Sequence, residues 1–304
     1  MNLHSFEHQA MATQFSFTFA GEEEAYVASA AQQCFDRLDA LELVLSRFVA
    51  DSDISRMNRL QAGQSIALEL ETWEVLKQAI QVQQWTGGTF DVGVAEHMKI
   101  FRAAKEGILN EFELHKALQL AQEAKANASL YLDPDHPQFH AVTPGMQFDL
   151  GGIGKGYALD QLALLLEELE IETYTLSAGE STVMVKNSHL QPYWEYPIAS
   201  SQEMKKLRLA NIVVSASGTF HQGNHIFDPR TGTNTGVSAF DRIWVASENA
   251  AFSDAFSTGL FLMSVEEIEN LVELVSEITW VAYSKDGKLF FIAENALNFA
   301  PSEH

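Results

Sequence analysis

The first fifty residues carry two distinct patterns of hydrophobic and polar positions. Residues 12–19 alternate polar and aromatic side chains, the two-residue period of a strand with one buried face. From about residue 22 to 48, apolar residues recur every three or four positions, which predicts a long amphipathic helix. The glutamates at 22–24 suit the positive N-terminal end of that helix. Its apolar stripe consists of Val27, Ala31, Cys34, Leu38, Leu41, Leu45 and Phe48.

Helical spacing recurs farther along the chain. The next helix is expected to end at Gly87-Gly88, because glycine favours helix C-termini. Ser264 followed by Glu267 predicts a capping box at the start of the last helix. The further helices predicted by this spacing span about 71–85, 111–125, 157–170, 252–263 and 265–275.

Strand patterns lie between these helices. Residues 131–144 predict strands broken by a turn, since prolines and aspartates interrupt them. Residues 146–150 predict a strand that leads into a glycine loop. Strands dominate 174–214, and the segments 278–283 and 288–293 predict a hairpin.

Length and composition agree with a globular fold. The chain has 304 residues, of which 46% are hydrophobic, enough to bury a substantial core. Neither a long linker nor a repeat marks a domain boundary, so residues 1–304 are expected to form one α+β domain of helices packed on sheets. The net charge of −22 repels nucleic acid and anionic membranes, so neither is an expected partner.

The sequence also bears on metal chemistry and location. Cys34 is the only cysteine, which excludes an intramolecular disulfide and the usual thiolate metal sites. No segment reaches the length of apolar residues that a membrane span needs. Residues 1–20 contain an acidic residue and lack a basic region, unlike a secretory signal. We therefore expect a cytoplasmic protein, unless an export signal or lipid anchor has been removed.

Asp254 and Thr258 form the first candidate site. They are four residues apart, so they lie on one face if this segment is helical. Magnesium prefers oxygen ligands and usually takes one or two carboxylates from a protein. The pair therefore predicts a Mg²⁺ site, and the alternative is a solvated helix N-terminus.

The glycine loop at residues 151–157 is the second candidate. Its four glycines allow backbone N–H groups to approach a phosphate, and Lys155 adds a positive charge. The loop matches neither the Rossmann nor the P-loop pattern. The alternative is a tight turn between a strand and a helix.

Residues 215–219 and 225–232 form the third candidate. Asp228-Pro229-Arg230-Thr231-Gly232 is a turn-forming sequence, so a hairpin tip is one interpretation. His225 lies just before it. A histidine beside a metal-bound pyrophosphate would suit a general base, whereas a satisfied structural histidine is the alternative.

Taken in order, these segments resemble the FAD:protein FMN transferase family, also called ApbE-like. The similarity extends over nearly the whole chain. It is carried by eight short segments at 11–13, 46–58, 86–91, 149–160, 178–180, 217–218, 225–232 and 253–258.

This resemblance implies an activity. Family members bind FAD in a cleft, use Mg²⁺ at its pyrophosphate, and transfer FMN to a Thr or Ser hydroxyl of an acceptor flavoprotein with release of AMP. Some hydrolyse FAD to FMN and AMP, which makes an FAD pyrophosphatase the alternative enzyme. Phosphoryl chemistry of this kind depends on positioning and charge neutralisation.

The resemblance also assigns roles to residues. Asp254, Thr258 and the backbone carbonyl near Gly152 would bind the metal, and Lys155 would contact phosphate. His225 would deprotonate the acceptor hydroxyl. Phe48 would stack on the flavin, where the family usually has Tyr; the alternative is that Phe48 ends the stripe of the first helix. The remaining candidates for lining the FAD site are Met11, Asp91, Gly179, Glu180, Ser217 and Asp228.

Two segments depart from the family pattern. Gly-Gly-Asp is replaced by Ala178-Gly179-Glu180, and Thr-Ser-Gly by Ala216-Ser217-Gly218. The first adds a methyl group and lengthens the acid, and the second loses a hydroxyl. These changes motivate a third hypothesis, an FAD-binding protein without turnover.

Overall fold

An eight-stranded antiparallel sheet forms the centre of the protein. The computed structural model describes residues 2–189, 191–218, 227–234 and 238–293. Its strands are β1 (Leu3–Ala10), β2 (Thr13–Ala20), β3 (Gln64–Ala67), β4 (Ser129–Leu132), β5 (Gln138–Thr143), β6 (Tyr174–Ala178), β7 (Thr182–Lys186), β8 (Trp194–Ala199), β9 (Met204–Leu209), β10 (Ile212–Gly218), β11 (Phe227–Asp228), β12 (Thr233–Asn234), β13 (Arg242–Ser247), β14 (Trp280–Lys285) and β15 (Lys288–Ile292). The large sheet has the order β1-β2-β6-β7-β10-β13-β14-β15.

Helices pack on one face of this sheet or on one another. They are α1 (Glu24–Leu45), α2 (Asp53–Met57), α3 (Leu70–Trp85), α4 (Ala95–Lys105), α5 (Glu111–Asn127), α6 (Gly154–Glu168), α7 (Ala250–Leu260) and α8 (Val265–Leu274). α7 contacts α6, α3 and the strands β10 and β13. It is almost wholly buried, so its side chains are fixed from several sides.

The two faces of the large sheet have separate cores because strand side chains alternate. Val213 and Val245 pack with the helices, whereas their neighbours Val214 and Trp244 point into a second cluster. The β8–β9 hairpin covers that second cluster with Ile198 and other apolar residues. A three-stranded sheet, β3-β5-β4, lies apart from the large one.

Most elements predicted from periodicity are present. The helix at 22–48 is observed as α1, with Cys34 in its buried stripe, and burial raises the pKa of this thiol to about 12. The capping box of Ser264 and Glu267 is complete. The hairpin of β14 and β15 turns at Asp286 and Gly287, both with positive φ. These observations, with the mixed helices and antiparallel sheets, confirm the α+β fold class.

Three local predictions are wrong. The loop predicted at 151–157 is limited to residues 151–153, because Gly154, Lys155 and Gly156 already belong to the first turn of α6.

Residues 146–150 do not form a strand, because their backbone bonds go to irregular partners. The Asn58 side chain accepts from the Phe148 N–H at 2.6 Å and donates to the Phe148 carbonyl at 3.0 Å, and Gln147 and Asp149 bond to the backbone of residues 92–95. α1 ends at Leu45, and Ser46 is extended, so Phe48 is not on its stripe.

Within the described residues, none of the helices combines the length and the apolar character that crossing a membrane requires.

Candidate functional site

The candidate site lies where α6 and α7 cross. A Cβ placed on Gly156 of α6 would overlap the backbone oxygen of Ala250, so glycine lets the two backbones touch here. At the same crossing, the carboxylate of Asp160 accepts the N–H groups of Ala250 and Ala251 at 2.8 and 2.9 Å. These contacts fix the position of α7 on α6.

Asp254 of α7 is buried beside the glycine loop, with 3% of its surface exposed. Its Oδ2 accepts the Gly156 N–H at 3.2 Å, and its Oδ1 accepts the Thr182 hydroxyl at 3.4 Å. The Lys155 ammonium lies 3.3 Å from Oδ2 and 3.5 Å from Oδ1. The alternative of a solvated helix N-terminus is therefore wrong for Asp254.

Lys155 joins the glycine loop to this carboxylate. Its Nζ also donates to the carbonyl of Gly151 at 3.0 Å. Its side chain is 21% exposed, compared with 5% for the side chain of Asp254. Lys155 is thus the more accessible member of the ion pair.

Thr258 and Gly152 lie next to Asp254. The Thr258 hydroxyl donates to the backbone carbonyl of Asp254 at 3.2 Å, and its side chain is otherwise exposed. A Cβ on Gly152 would lie 3.3 Å from Thr258 Oγ1 and 3.2 Å from the ring of Phe90. The structure therefore brings together the three residues predicted to bind a metal.

Hydroxyl groups connect Asp254 to the sheet. Ser215 donates to the Thr182 hydroxyl at 3.2 Å, and both residues are fully buried. Ser217 contacts Ser257 at 3.0 Å, and Ser257 donates to the Asp254 carbonyl at 2.9 Å. Ser215 lies in the third candidate segment, although no role of its own was predicted for it. Sequence reasoning missed Thr182, because it stands in no recognisable motif.

Two turns of the sheet lie near this hydroxyl chain. Met11 begins the β1–β2 turn with φ 49°, and its N–H donates to Glu42 at 2.9 Å. Gly179 in the β6–β7 turn has φ 58°, and a Cβ there would lie 2.5 Å from Thr13 Oγ1. Glu180 follows it and is exposed. Both turns are at the end of the sheet where Ser217 contacts α7.

Phe48 is exposed at 68%, so the interpretation that it ends the apolar stripe of α1 is wrong. The guanidinium of Arg47 lies 4.2 Å from the centre of its ring. Arg47 also donates from Nε to Asp149 at 2.6 Å, just before the glycine loop. Through Arg47, an exposed aromatic ring is thus tied to Asp149, which precedes the glycine loop and α6.

Asp91 belongs to a second group of charged residues. It is paired with Lys125 of α5 at 2.7 Å, and both side chains are largely buried. His97 of α4 is also buried, and burial together with the nearby Lys125 ammonium lowers its pKa. Its ring lies 4.9 Å from that of Phe227.

Asp228 and Arg230 occupy the turn of the β11–β12 hairpin. The Gly232 N–H donates to the Asp228 carbonyl at 2.9 Å, which confirms the hairpin interpretation. Burial alone would raise the pKa of the Asp228 carboxyl. The hydrogen bonds from Arg230 and its positive charge outweigh burial, so the pKa of Asp228 is lowered. His225 lies outside the described residues, so its predicted role is untested.

No group of three or more His, Cys, Asp or Glu side chains within the described ranges is placed to hold a metal ion. A cation at Asp254 would therefore rely on hydroxyl and carbonyl oxygens as well. These are oxygen ligands of the kind that magnesium takes.

The fold and the site together define a class of α+β proteins in which a glycine-rich loop and helix start contact a buried carboxylate. The chain belongs to the ApbE family, whose family model matches residues 11–281.

Named relatives and solved structures agree with this assignment. The chain is 24% identical to an FAD:protein FMN transferase of Buchnera aphidicola subsp. Schizaphis graminum, over 77% of this chain and 73% of that protein. It is 27% identical to an FAD:protein FMN transferase of Chlamydia muridarum, over 75% of this chain and 73% of that protein. The structure is similar to the flavin transferase ApbE from Vibrio cholerae, with a TM-score of 0.80 and 19% identity, covering 96% of this chain and 97% of that one. It is also similar to the apo form of the flavinyl transferase ApbE of Pseudomonas stutzeri, with a TM-score of 0.77 and 19% identity. That similarity covers 98% of this chain and 94% of that one.

Proposed function

We propose that this chain is a Mg²⁺-dependent FAD:protein FMN transferase. It binds FAD and transfers the FMN moiety to a Thr or Ser hydroxyl of an acceptor flavoprotein, and AMP leaves. Membership of the ApbE family and similarity to FAD:protein FMN transferases support the activity. The observation that carries the proposal is the buried carboxylate of Asp254, which faces Lys155 in the first turn of α6 with Thr258 and Gly152 alongside.

The residues at this place fit a magnesium ion. Asp254 supplies a carboxylate, Thr258 a hydroxyl and Gly152 a backbone carbonyl, all hard oxygen donors. Asp254 is the only acid among them, which leaves coordination positions for water and phosphate. When bound, the ion supplies charge neutralisation on the pyrophosphate and stabilises the leaving phosphate.

The protein's own residues bind and orient the substrate. Lys155 contacts a phosphate oxygen, and the glycine loop lets backbone approach it. Phe48 presents an exposed ring for the flavin to stack on. The residues proposed to line the rest of the FAD site are Met11, Asp91, Gly179, Glu180, Ser217 and Asp228.

The proposed transfer is a substitution at phosphorus, in which one P–O bond forms and another breaks. The acceptor hydroxyl oxygen forms a bond to the phosphorus of the FMN half, while the bond from that phosphorus to the bridging oxygen breaks. AMP leaves with that electron pair. The hydroxyl proton passes to a base, and His225 is the residue we propose for it.

The test uses the purified protein, FAD, MgCl₂ and candidate acceptor flavoproteins. AMP is measured by chromatography, and the acceptor by flavin fluorescence in a denaturing gel and by intact mass. We expect AMP and covalent flavin to appear together, and an acceptor with its Thr or Ser changed to Ala to stay unmodified. Asp254→Asn should lose both signals. AMP and flavinylation at wild-type rates in Asp254→Asn would contradict the proposed site.

Two other outcomes separate the alternatives. AMP released at the same rate without an acceptor would indicate an FAD pyrophosphatase, in which water replaces the hydroxyl. FAD that binds and survives Mg²⁺ unchanged would indicate a binding protein without turnover, the hypothesis that Ala178 and Ala216 motivate. The cytoplasmic location expected from the sequence stays a prediction.

A further inference from the structure

The ammonium of Lys155 lies among oxygen atoms that also suit a metal ion. Its Nζ is 3.0 Å from the Gly151 carbonyl and 3.3 Å from Oδ2 of Asp254. Both are hard oxygens, and one is ionised. In this structure a protein cation therefore neutralises the carboxylate on which the proposed metal site depends.

The partners of Asp254 differ in how easily they can leave. The Gly156 N–H belongs to the backbone of α6, and the Thr182 hydroxyl is fully buried on the sheet. The N–H cannot move without α6, and the hydroxyl is enclosed on all sides. Lys155 has a flexible side chain that is 21% exposed, and its contacts with the two carboxylate oxygens are long, at 3.3 and 3.5 Å.

A divalent cation and an ammonium cannot share this carboxylate closely, because like charges repel and the repulsion is screened less in a buried site than in water. A metal ion that binds Asp254 must therefore displace Lys155. The displaced side chain remains at the first turn of α6, directly after the glycine loop where a phosphate would be bound.

We propose that Lys155 and the divalent cation compete for Asp254. Without metal, Lys155 neutralises Asp254. When the metal binds, Lys155 is released from the carboxylate and becomes available to the phosphate of the substrate. This inference rests on the proposed function, and it adds that Lys155 exchanges one partner for another during loading of the site.

The test measures metal affinity without any nucleotide. Free Mn²⁺ is followed by electron paramagnetic resonance during titration of the protein, and Mg²⁺ affinity is obtained by competition. Lys155→Met and Lys155→Gln remove the competing charge, whereas Lys155→Arg keeps it. Lys116→Met is the matched control, because it removes one charge from an exposed position of α5.

We expect the two neutral variants to bind Mn²⁺ at least about tenfold more tightly than the wild type, a factor equivalent to about 1.4 kcal/mol. Lys155→Arg and Lys116→Met should stay close to the wild-type affinity. Adding Asp254→Asn to Lys155→Met should abolish the gain, which shows that the measured ion is at Asp254. A thermal unfolding curve for each variant checks that it is folded.

Equal or weaker Mn²⁺ binding by folded Lys155→Met and Lys155→Gln would overturn the competition. The proposed function fails in a different way. If the wild type binds no divalent cation at millimolar concentration and releases AMP without one, the metal requirement itself is wrong. If AMP release needs Mg²⁺ but the neutral variants bind metal no better, only the competition is wrong.

Discussion

The carboxylate of Asp160 on α6 accepts the backbone N–H of Ala250, the first residue of α7, at 2.8 Å. It also accepts the next N–H, of Ala251. One acid thus satisfies two of the donors that a helix N-terminus leaves free. It also ties the helix of Lys155 to the helix of Asp254.

Asp160 should make stability depend on pH. Burial raises its pKa from 3.8 to about 6, although the two N–H donors favour the charged form. At pH 5 the folded protein therefore keeps a proton that the unfolded chain has lost. The contribution of Asp160 to stability falls as the pH rises from about 4 through 6, and it then levels off.

Asp160→Asn removes this dependence. From pH 5 to pH 7, we expect the unfolding free energy of the wild type to fall by about 1.4 kcal/mol relative to the variant. Urea unfolding at fixed ionic strength measures the difference. The variant should be the less stable of the two proteins at pH 5. Its side-chain oxygen can accept one of the two N–H groups of α7, but its NH₂ group then faces the other. Parallel pH profiles for the two proteins would show that Asp160 does not titrate in this range.

Gly156 is the second contact between these helices, and Gly156→Ala should separate them. The added Cβ would meet backbone atoms of Ala250, which cannot move independently. We expect a loss of about 1–3 kcal/mol in unfolding free energy, the usual range for overpacking. If the proposed function holds, AMP release should fall as well, because α7 carries Asp254.

Gly154→Ala is the matched control for this substitution. It lies two residues earlier on α6, and its added Cβ would have an ordinary 3.6 Å contact with Leu150. We expect it to be neutral or slightly stabilising. Chemical unfolding of both variants decides the matter, and equal stabilities would refute the close approach at Gly156.

Local periodicity predicted α1 and the capping box at Ser264 because both depend on neighbours in sequence. β13 was missed: it is buried on both faces and follows no alternating pattern. The strand predicted at 146–150 was wrong because Asn58, far away in sequence, binds that backbone.

In the candidate site too, local sequence predicted some features, whereas others depend on contacts between distant residues. The spacing of Asp254 and Thr258 predicted their common face. The contact of Lys155 with Asp254 joins residues 99 apart in sequence. It depends on a helix crossing that Gly156 and Asp160 create, and no local pattern reveals such a crossing. Burial of Asp254 could not be read from its neighbours for the same reason.

Phe48 should matter for ligand binding and little for folding. Its ring is 68% exposed, so Phe48→Ala removes few internal contacts, and we expect a change within about 0.5 kcal/mol in unfolding free energy. If the flavin stacks on this ring, FAD affinity should fall about three- to tenfold, in line with aromatic pair energies. Phe48→Tyr should keep the affinity. Flavin fluorescence titration measures this, and unchanged FAD binding by Phe48→Ala would exclude the stacking role.

The hydroxyls of Ser215 and Thr182 form a buried chain that ends on Asp254, and they should act as a unit. Thr182→Val removes a donor to the carboxylate and leaves the Ser215 hydroxyl buried without its partner. We expect a loss of about 1–3 kcal/mol in unfolding free energy, the usual penalty for an orphaned buried polar group. Metal affinity should also weaken, because Oδ1 of Asp254 loses its tie to the sheet.

The double variant Thr182→Val with Ser215→Ala removes both hydroxyls, so no orphan remains between the two strands. We expect it to recover part of the stability lost by Thr182→Val alone, which is a non-additive double-mutant cycle. Its metal affinity should stay at the level of Thr182→Val, since Asp254 still lacks the Thr182 donor. Urea unfolding and Mn²⁺ titration of the four proteins measure both quantities. If the two losses of unfolding free energy are strictly additive, the two hydroxyls are not coupled. If Thr182→Val binds metal as tightly as the wild type, the sheet does not orient Asp254.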